Sequence, residues 1–262
     1  MAHRPGQGRF SGLVQRFRGE TVNRAGVKTR VAIADDHVLF AECLQVALTV
    51  AGYDDCRLIP VASSQGAPVA LLSNILRARA GVVIVDIDLA TGRGGECLIE
   101  PIASSGAAVV VVTADPDRSR WGESLLRGAR TVVPKSSPLS AVTSAIRRID
   151  NRAPAMALEQ RQELVRTYHQ ERSQRSMLRA RLARLSAREA QILGHLMAGR
   201  TVGDIARSCV VSEATVRTQV RSVLTKLEVS SQIAAVGLAY TADWRPLQQR
   251  GEGELVRARA GR

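Results

Sequence analysis

Residues 185–227 read LSAREAQILGHLMAGRTVGDIARSCVVSEATVRTQVRSVLTKL. Ser186 followed three residues later by Glu189 is a capping box, which predicts a helix starting there. Ile192, Leu193 and Leu196 give that helix one apolar stripe. Gly199 stops it. A short second helix over 202–208 turns Ile205 and Ala206 inward, the alanine being small enough for helices to cross closely. Ser212 then caps a third helix over 213–227, whose Val216, Val220, Val223, Leu224 and Leu227 face a core. Ala214, Arg217, Thr218 and Arg221 fall on its opposite face, at spacings of three and four.

Two short helices, a tight turn and a third helix with a basic outer face form the pattern of a helix-turn-helix reader of duplex DNA. In the major groove an arginine fork reaches guanine O6 and N7, and a threonine methyl meets the thymine methyl. An ordinary three-helix bundle with a solvated charged face has the same periodicity, so spacing alone leaves both readings open. The motif goes further. Leu185, Ser186, Arg188, Glu189, Gly199, Ile205, Ala206, Ser212, Thr215, Val216, Arg217, Lys226, Leu227, Val229 and Ser231 follow a family pattern. In them the segment resembles the C-terminal DNA-binding domain of the LuxR/NarL/FixJ family. The resemblance covers about 185–239 and implies a four-helix domain, bounded at 181–241, with its recognition helix at 213–227. It implies base contacts by Arg217, Thr218 and Arg221, and Lys226 joins them in the expected DNA-binding set. Gln219 stands where histidine is frequent, and Gln232 where an arginine usually follows the serine.

Upstream, the chain alternates apolar runs with amphipathic stretches. Strands are predicted over 31–34, 57–61, 82–85, 108–113 and 131–133, and helices over 38–51, 69–78, 95–103, 118–127 and 139–149. Phe40, Leu44, Ala47, Leu48 and Ala51 form the stripe of the first helix. Short apolar runs separated by amphipathic helices mean a parallel sheet covered on both faces, and ligands of such sheets sit at the carboxyl ends of the strands. Asp35 and Asp36 stand at the end of the first strand, Asp86 at the third, Thr113 at the fourth, and Lys135 follows the fifth. Three carboxylates make a hard oxygen site suited to Mg²⁺, beside which a hydroxyl and an ammonium hold phosphoryl oxygens. Asp86 is then a nucleophile toward a phosphoryl donor. Taken singly, acids after strands cap helices and lysines are solvated; the joint placement on four strand ends is what points to chemistry.

In this pattern, and in the opening VAIADDHVLFAECLQVAL (31–48), residues 30–150 resemble a response-regulator receiver domain. The resemblance implies a CheY-like, doubly wound α/β fold with a five-stranded parallel sheet. It implies Mg²⁺ at Asp35, Asp36 and Asp86, phosphorylation of Asp86 by a sensor histidine kinase, and readout of the phosphoryl group by Thr113 and Lys135. Three positions depart from the family. Asp88 adds a carboxylate near the site, expected to weaken phosphoryl binding by like-charge repulsion. Val132 occupies the place of the aromatic that swings inward on activation. Pro134 precedes the lysine instead of following it.

Asp86-Ile87-Asp88 with a later threonine and lysine also sketches a haloacid-dehalogenase-like phosphatase, with Asp88 as general acid. That class needs an acidic cluster beyond the lysine, but Asp150 is alone there, and Ala90 replaces the threonine of D-x-D-x-T. A second alternative keeps the receiver architecture and signals without phosphorylation, which Asp88, Val132 and Pro134 motivate.

Composition is consistent with these readings. The 262 residues carry a net charge of +13 and only 3% aromatics, too few for the stacking platforms of a single-strand binder. The charge is +6 over 1–30, −2 over 31–150, +3 over 151–180 and +6 over 181–262, a weakly acidic middle between basic ends. Cys43, Cys56, Cys97 and Cys209 are scattered without metal-ligand or disulfide spacing, so reduced thiols are expected. No apolar run spans a bilayer, and a cytoplasmic location is expected. Residues 1–29, rich in Arg and Gly, are expected to be a disordered basic extension, an over-long gene start or an arm touching DNA. Residues 151–180 are expected to be a linker, helical in part, with Leu178, Leu182 and Leu185 at helical spacing, and 242–262 a disordered tail. The sequence thus predicts a non-enzymatic transcriptional regulator that binds duplex DNA as a homodimer and answers to a sensor histidine kinase.

Overall fold

The computed structural model describes residues 29–61, 68–89 and 94–246; the expectations for 1–28 and for the tail beyond 246 fall outside them. The described chain divides into two compact units, residues 1–169 and 170–262.

The first unit is built on β1 (Val31–Ala34), β2 (Cys56–Leu58), β3 (Val82–Asp86), β4 (Ala108–Thr113) and β5 (Ala129–Pro134). They form one parallel sheet in the order β2-β1-β3-β4-β5. The runs VAIA, VVIVD and AVVVVT of β1, β3 and β4 are buried at every residue, because helices cover both faces. Successive side chains alternate between two cores. Val31, Ile33, Val82, Ile84, Val110 and Val112 pack under α1 (Val38–Val50) and α5 (Leu139–Asp150). Ala32, Ala34, Val83, Val85, Val109 and Val111 pack under α2 (Pro68–Arg77), α3 (Glu96–Ser104) and α4 (Arg118–Leu126). The second strand is shorter than the predicted 57–61: Ile59 still donates to Ile33 O, but Pro60 has no N–H to continue the ladder.

The stretch expected to be a linker from residue 151 is mostly one helix, α6 (Leu158–Leu182), and the division between the units falls within it. Its first half belongs to the sheet domain. Leu164 is fully buried in the core that holds Trp121 and Leu125, and Met156 and Val165 join it. Arg161 donates to the carbonyls of Leu125 and Ala129, and Arg118 pairs with Glu163 at 2.9 Å. A run with one buried leucine among charges has no amphipathic signature. Only the helix it docks on reveals the apolar face.

The second unit comprises the end of α6 with α7 (Ala187–Met197), α8 (Val202–Cys209), α9 (Glu213–Leu227) and α10 (Gln232–Thr241). Ser186 and Glu189 form the predicted capping box, Thr201 and Asp204 form another on α8, and Ser212 accepts from Thr215 N to start α9. Gly199, just past α7, has φ +72°, a conformation natural to glycine. Ile192, Leu196, Ile205, Ala206, Val216 and Val220 make one core cluster; Leu182, Leu193, Val223, Leu227, Ala235, Leu238 and Ala239 make the other. Gln232 is exposed at the first position of α10 and takes no part in its packing.

Candidate functional site

In a 2-1-3-4-5 sheet the direction of strand addition reverses between β1 and β3, and the loops leaving their carboxyl ends part to form a crevice. Ala34 pairs with Val85, so Asp35 and Asp86 open onto that crevice side by side. Both are buried. Lys135, just past β5, reaches them with Nζ 2.7 Å from Asp86 Oδ2 and 2.8 Å from Asp35 Oδ2. The same ammonium lies 4.9 Å from the centre of the Phe40 ring. His37 Nδ1 is 3.0 Å from Asp36 Oδ1 and 3.6 Å from Asp86 Oδ2. Ligand atoms of Asp35, Asp36, His37 and Asp86 all lie within 4.8 Å of one another. The predicted acidic triad and the lysine are therefore brought together.

Burial raises the pKa of Asp86 above the ordinary aspartate value, against the opposing pull of Lys135 and of the Asp88 N–H, 2.9 Å from Oδ1. Burial pulls Lys135 down, but its hydrogen bonds to Asp35 and Asp86 outweigh it and the net shift is upward. The ammonium thus stays charged among the acids. Gly95 is needed here: a Cβ on it would stand 2.0 Å from the Asp86 carbonyl oxygen.

Thr113 lies at the expected strand end, but its hydroxyl is already engaged. It donates to Asp88 Oδ2 at 2.8 Å and accepts from Asp115 N at 2.9 Å. Asp88, expected to weaken phosphoryl binding by like-charge repulsion, has a cationic partner in the structure. Arg120, in the first turn of α4, places Nη1 2.9 Å from Asp88 Oδ1. The same guanidinium pairs with Glu96 and Asp115 and donates to Ile87 O at 3.3 Å. Partial burial raises the pKa of Asp88, but the hydrogen bonds from Thr113 and Arg120 prevail and the net shift is downward. A carboxylate held in that form has no proton to give as the general acid of a phosphatase. Arg120 is not recognisable in the sequence, because its three acids come from the loop after β3, the first turn of α3 and the loop after β4. Val132 is buried in the core under α4.

In the second unit, Arg217, Thr218 and Arg221 are exposed on the outer face of α9. Arg217 makes only a solvent-exposed pair with Glu213 at 3.1 Å, and Thr218 bonds back to Ala214 O. Exposed pairs of this kind are worth ~0.3–0.5 kcal/mol, too little to hold the arginine from another anion. Lys226 does not share this face. Its Nζ is 2.7 Å from Glu189 Oε2, a carboxylate only 6% exposed that also takes the Ser222 hydroxyl at 2.6 Å and the Ser186 N–H at 2.7 Å. The motif lysine therefore ties α9 to the start of α7, a correction to its expected place among the DNA contacts. Spacing could not separate the two roles, since both need a cation on α9.

Residues 183–239 match the family described as "Bacterial regulatory proteins, luxR family". The chain is 25% identical over 210 residues to the glycerol metabolism activator of Pseudomonas putida, covering 79% of this chain and 93% of the relative. It is 23% identical over 163 residues to the transcriptional regulatory protein DesR of Bacillus subtilis, covering 62% and 74%. Among solved structures it is similar to RcsB from Salmonella enterica serovar Typhimurium, bound to a promoter in the presence of a phosphomimetic. The identity there is 21%, the TM-score 0.41, and the coverage 82% of this chain and 99% of that one. Among the described residues, no helix is long and apolar enough to cross a membrane.

Proposed function

We propose that this chain, built as a response regulator of the NarL/FixJ type, binds duplex DNA as a homodimer in the cytoplasm and controls transcription through a phosphoryl group on Asp86. The convergence of Asp86 and Asp35 on the Lys135 ammonium carries this reading, because a phosphoryl acceptor needs a nucleophilic carboxylate with a cation beside it. An Asp86 oxygen attacks the phosphorus of a phosphohistidine on a sensor histidine kinase. The O–P bond forms as the P–N bond breaks, and the imidazole leaves with the bonding electrons. Asp35, Asp36 and Asp86 are hard oxygen donors that fit Mg²⁺, and its charge offsets that of the phosphoryl oxygens when it is bound. Lys135 pairs with a phosphoryl oxygen after transfer, and Thr113 supplies a hydroxyl to another. Arg217, Thr218 and Arg221 read bases in the major groove.

Incubation of the full chain with acetyl phosphate and Mg²⁺ tests this reading, with intact mass and a phosphate-retarding gel as readouts. One phosphate is expected, and none on Asp86→Asn. A wild-type chain that binds its operator but takes no phosphate would favour a second reading, regulation without phosphorylation. The engagement of the Thr113 hydroxyl by Asp88 speaks for that one. At the DNA, Arg217→Ala and Arg221→Ala are each expected to weaken operator binding by ~1–3 kcal/mol, measured by titration at matched salt. Unchanged affinity in both variants would remove α9 from the groove.

A further inference from the structure

The network around Arg120 lies outside the acceptor site itself, yet it controls a group that the site needs. Asp88 Oδ2 accepts both the Thr113 hydroxyl, at 2.8 Å, and the Ala114 N–H, at 3.2 Å. Its other oxygen is held by Arg120 Nη1 at 2.9 Å. The guanidinium is anchored further, since Nη1 also bonds Asp115 while Nε and Nη2 hold Glu96 and the carbonyl of Ile87. Thr113 Oγ1 also accepts from Asp115 N, so the donor and the acceptor of this hydroxyl are both in use. A hydroxyl has one proton to donate. It can go to the carboxylate of Asp88 or to a phosphoryl oxygen on Asp86, not to both.

We infer that Asp88 is an internal competitor for the phosphoryl group, and that Arg120 is the positioning residue that clamps it onto Thr113 in the resting protein. The inference rests on the reading of Asp86 as phosphoryl acceptor. Phosphorylation must then draw Thr113 away from Asp88. The effect is distinct from like-charge repulsion, which would act with or without the Thr113 hydroxyl. The cost lies in the hydrogen bonds that must be exchanged. Two features of the network make Asp88 removable without loss of fold. Arg120 keeps two carboxylates and a carbonyl when Asp88 is gone, and Asp88 itself is partly exposed.

The test measures acetyl phosphate labelling in the full chain, with Mg²⁺ present, for wild type, Asp88→Ala, Thr113→Ala and the double variant. In this reaction the Asp86 O–P bond forms, the P–O bond to the acetyl group breaks, and acetate leaves with the electrons. Asp88→Ala is expected to accelerate labelling about tenfold, the scale of one hydrogen bond to a charged group. In the Thr113→Ala background the same substitution is expected to change the rate less than about twofold, since the contested hydroxyl is gone. Equal acceleration in both backgrounds would make the effect one of bulk charge and overturn the inference, as would no acceleration in either. Arg120→Gln, which releases Asp88 from its clamp, is expected to accelerate labelling in the wild-type background and to add no acceleration beside Asp88→Ala; slowing in both backgrounds would take the clamping role away from Arg120. No label on any variant would reject Asp86 as acceptor, and proton NMR would then decide the clamp alone. A slowly exchanging Thr113 hydroxyl proton, present in wild type and lost in Asp88→Ala, would uphold it; its absence from the wild type would end it.

Discussion

Replacing Glu189 by alanine is expected to destabilise the C-terminal unit by about 3 kcal/mol, toward the lower end of what breaking a buried ion pair costs because Lys226 can still reach water. The carboxylate holds three groups on two helices at once. It accepts the Ser186 N–H as half of the α7 capping box, the Ser222 hydroxyl and the Lys226 ammonium of α9. Losing it exposes a helix start and leaves a serine and a lysine unpaired at one seam. Glu189→Gln keeps the shape and the capping bond but not the charge, and about half the loss is expected. Trp121 lies in the first unit and Trp244 packs in the second, and they are the chain's two tryptophans. Urea titrations in a Trp121→Phe background therefore follow the C-terminal unit alone through Trp244. A midpoint unchanged by Glu189→Ala would refute the role assigned to this pair.

The same residue sets an acid limit. Burial raises the Glu189 pKa, but the bonds from Lys226, Ser222 and Ser186 outweigh it and hold the group at about 2, against 4.5 for an ordinary glutamate. A group depressed in the folded state stabilises the fold fully above its unfolded pKa and loses that contribution as pH falls toward its folded pKa. The C-terminal unit should therefore weaken between about pH 4.5 and 2. In Glu189→Gln that portion of the acid dependence should vanish.

Gly122→Ala should destabilise the first unit by ~1–3 kcal/mol, although alanine favours a helix by about 1 kcal/mol over glycine. The reason is the crossing of α4 and α6. A Cβ at Gly122 would stand 2.2 Å from Leu164 O and 2.9 Å from Tyr168 Cβ, and the first of these is backbone that no rotamer can move. The first half of α6 must back away, and with it the fully buried Leu164 and the two carbonyl bonds of Arg161. Hydrogen exchange should quicken over 158–169 and stay unchanged in β1, β3 and β4. A net stabilisation near the propensity difference would mean that the helices do not meet there.

Much was legible in the sequence because the signals were local. The capping boxes, Gly199 and the valine spacing of α9 are each written within a few residues, and the helices fall where those marks put them. The continuous apolar runs of β1, β3 and β4 announced a sheet covered on both sides, and the topology rule then selected Asp35, Asp36, Asp86 and Lys135. Contacts between distant segments were not legible. Asp88 reads in the sequence as an added repulsive charge, and its cationic partner Arg120 lies 32 residues away. Lys226 looked like one more cation on a DNA-reading helix until Glu189, 37 residues earlier, took it.

The sequence by itself determined the two architectures, the strand ends that bear the chemistry, and the helix face that bears Arg217, Thr218 and Arg221. Periodicity, caps and breakers act within one element, and each of those features is confined to one element. The tertiary structure alone decided which charges are paired, whose hydrogen bond Thr113 keeps, and where the polar first half of α6 buries Leu164. Coulombic and hydrogen-bonding partners are set by distance in space, and across a folded sheet that distance is unrelated to separation along the chain.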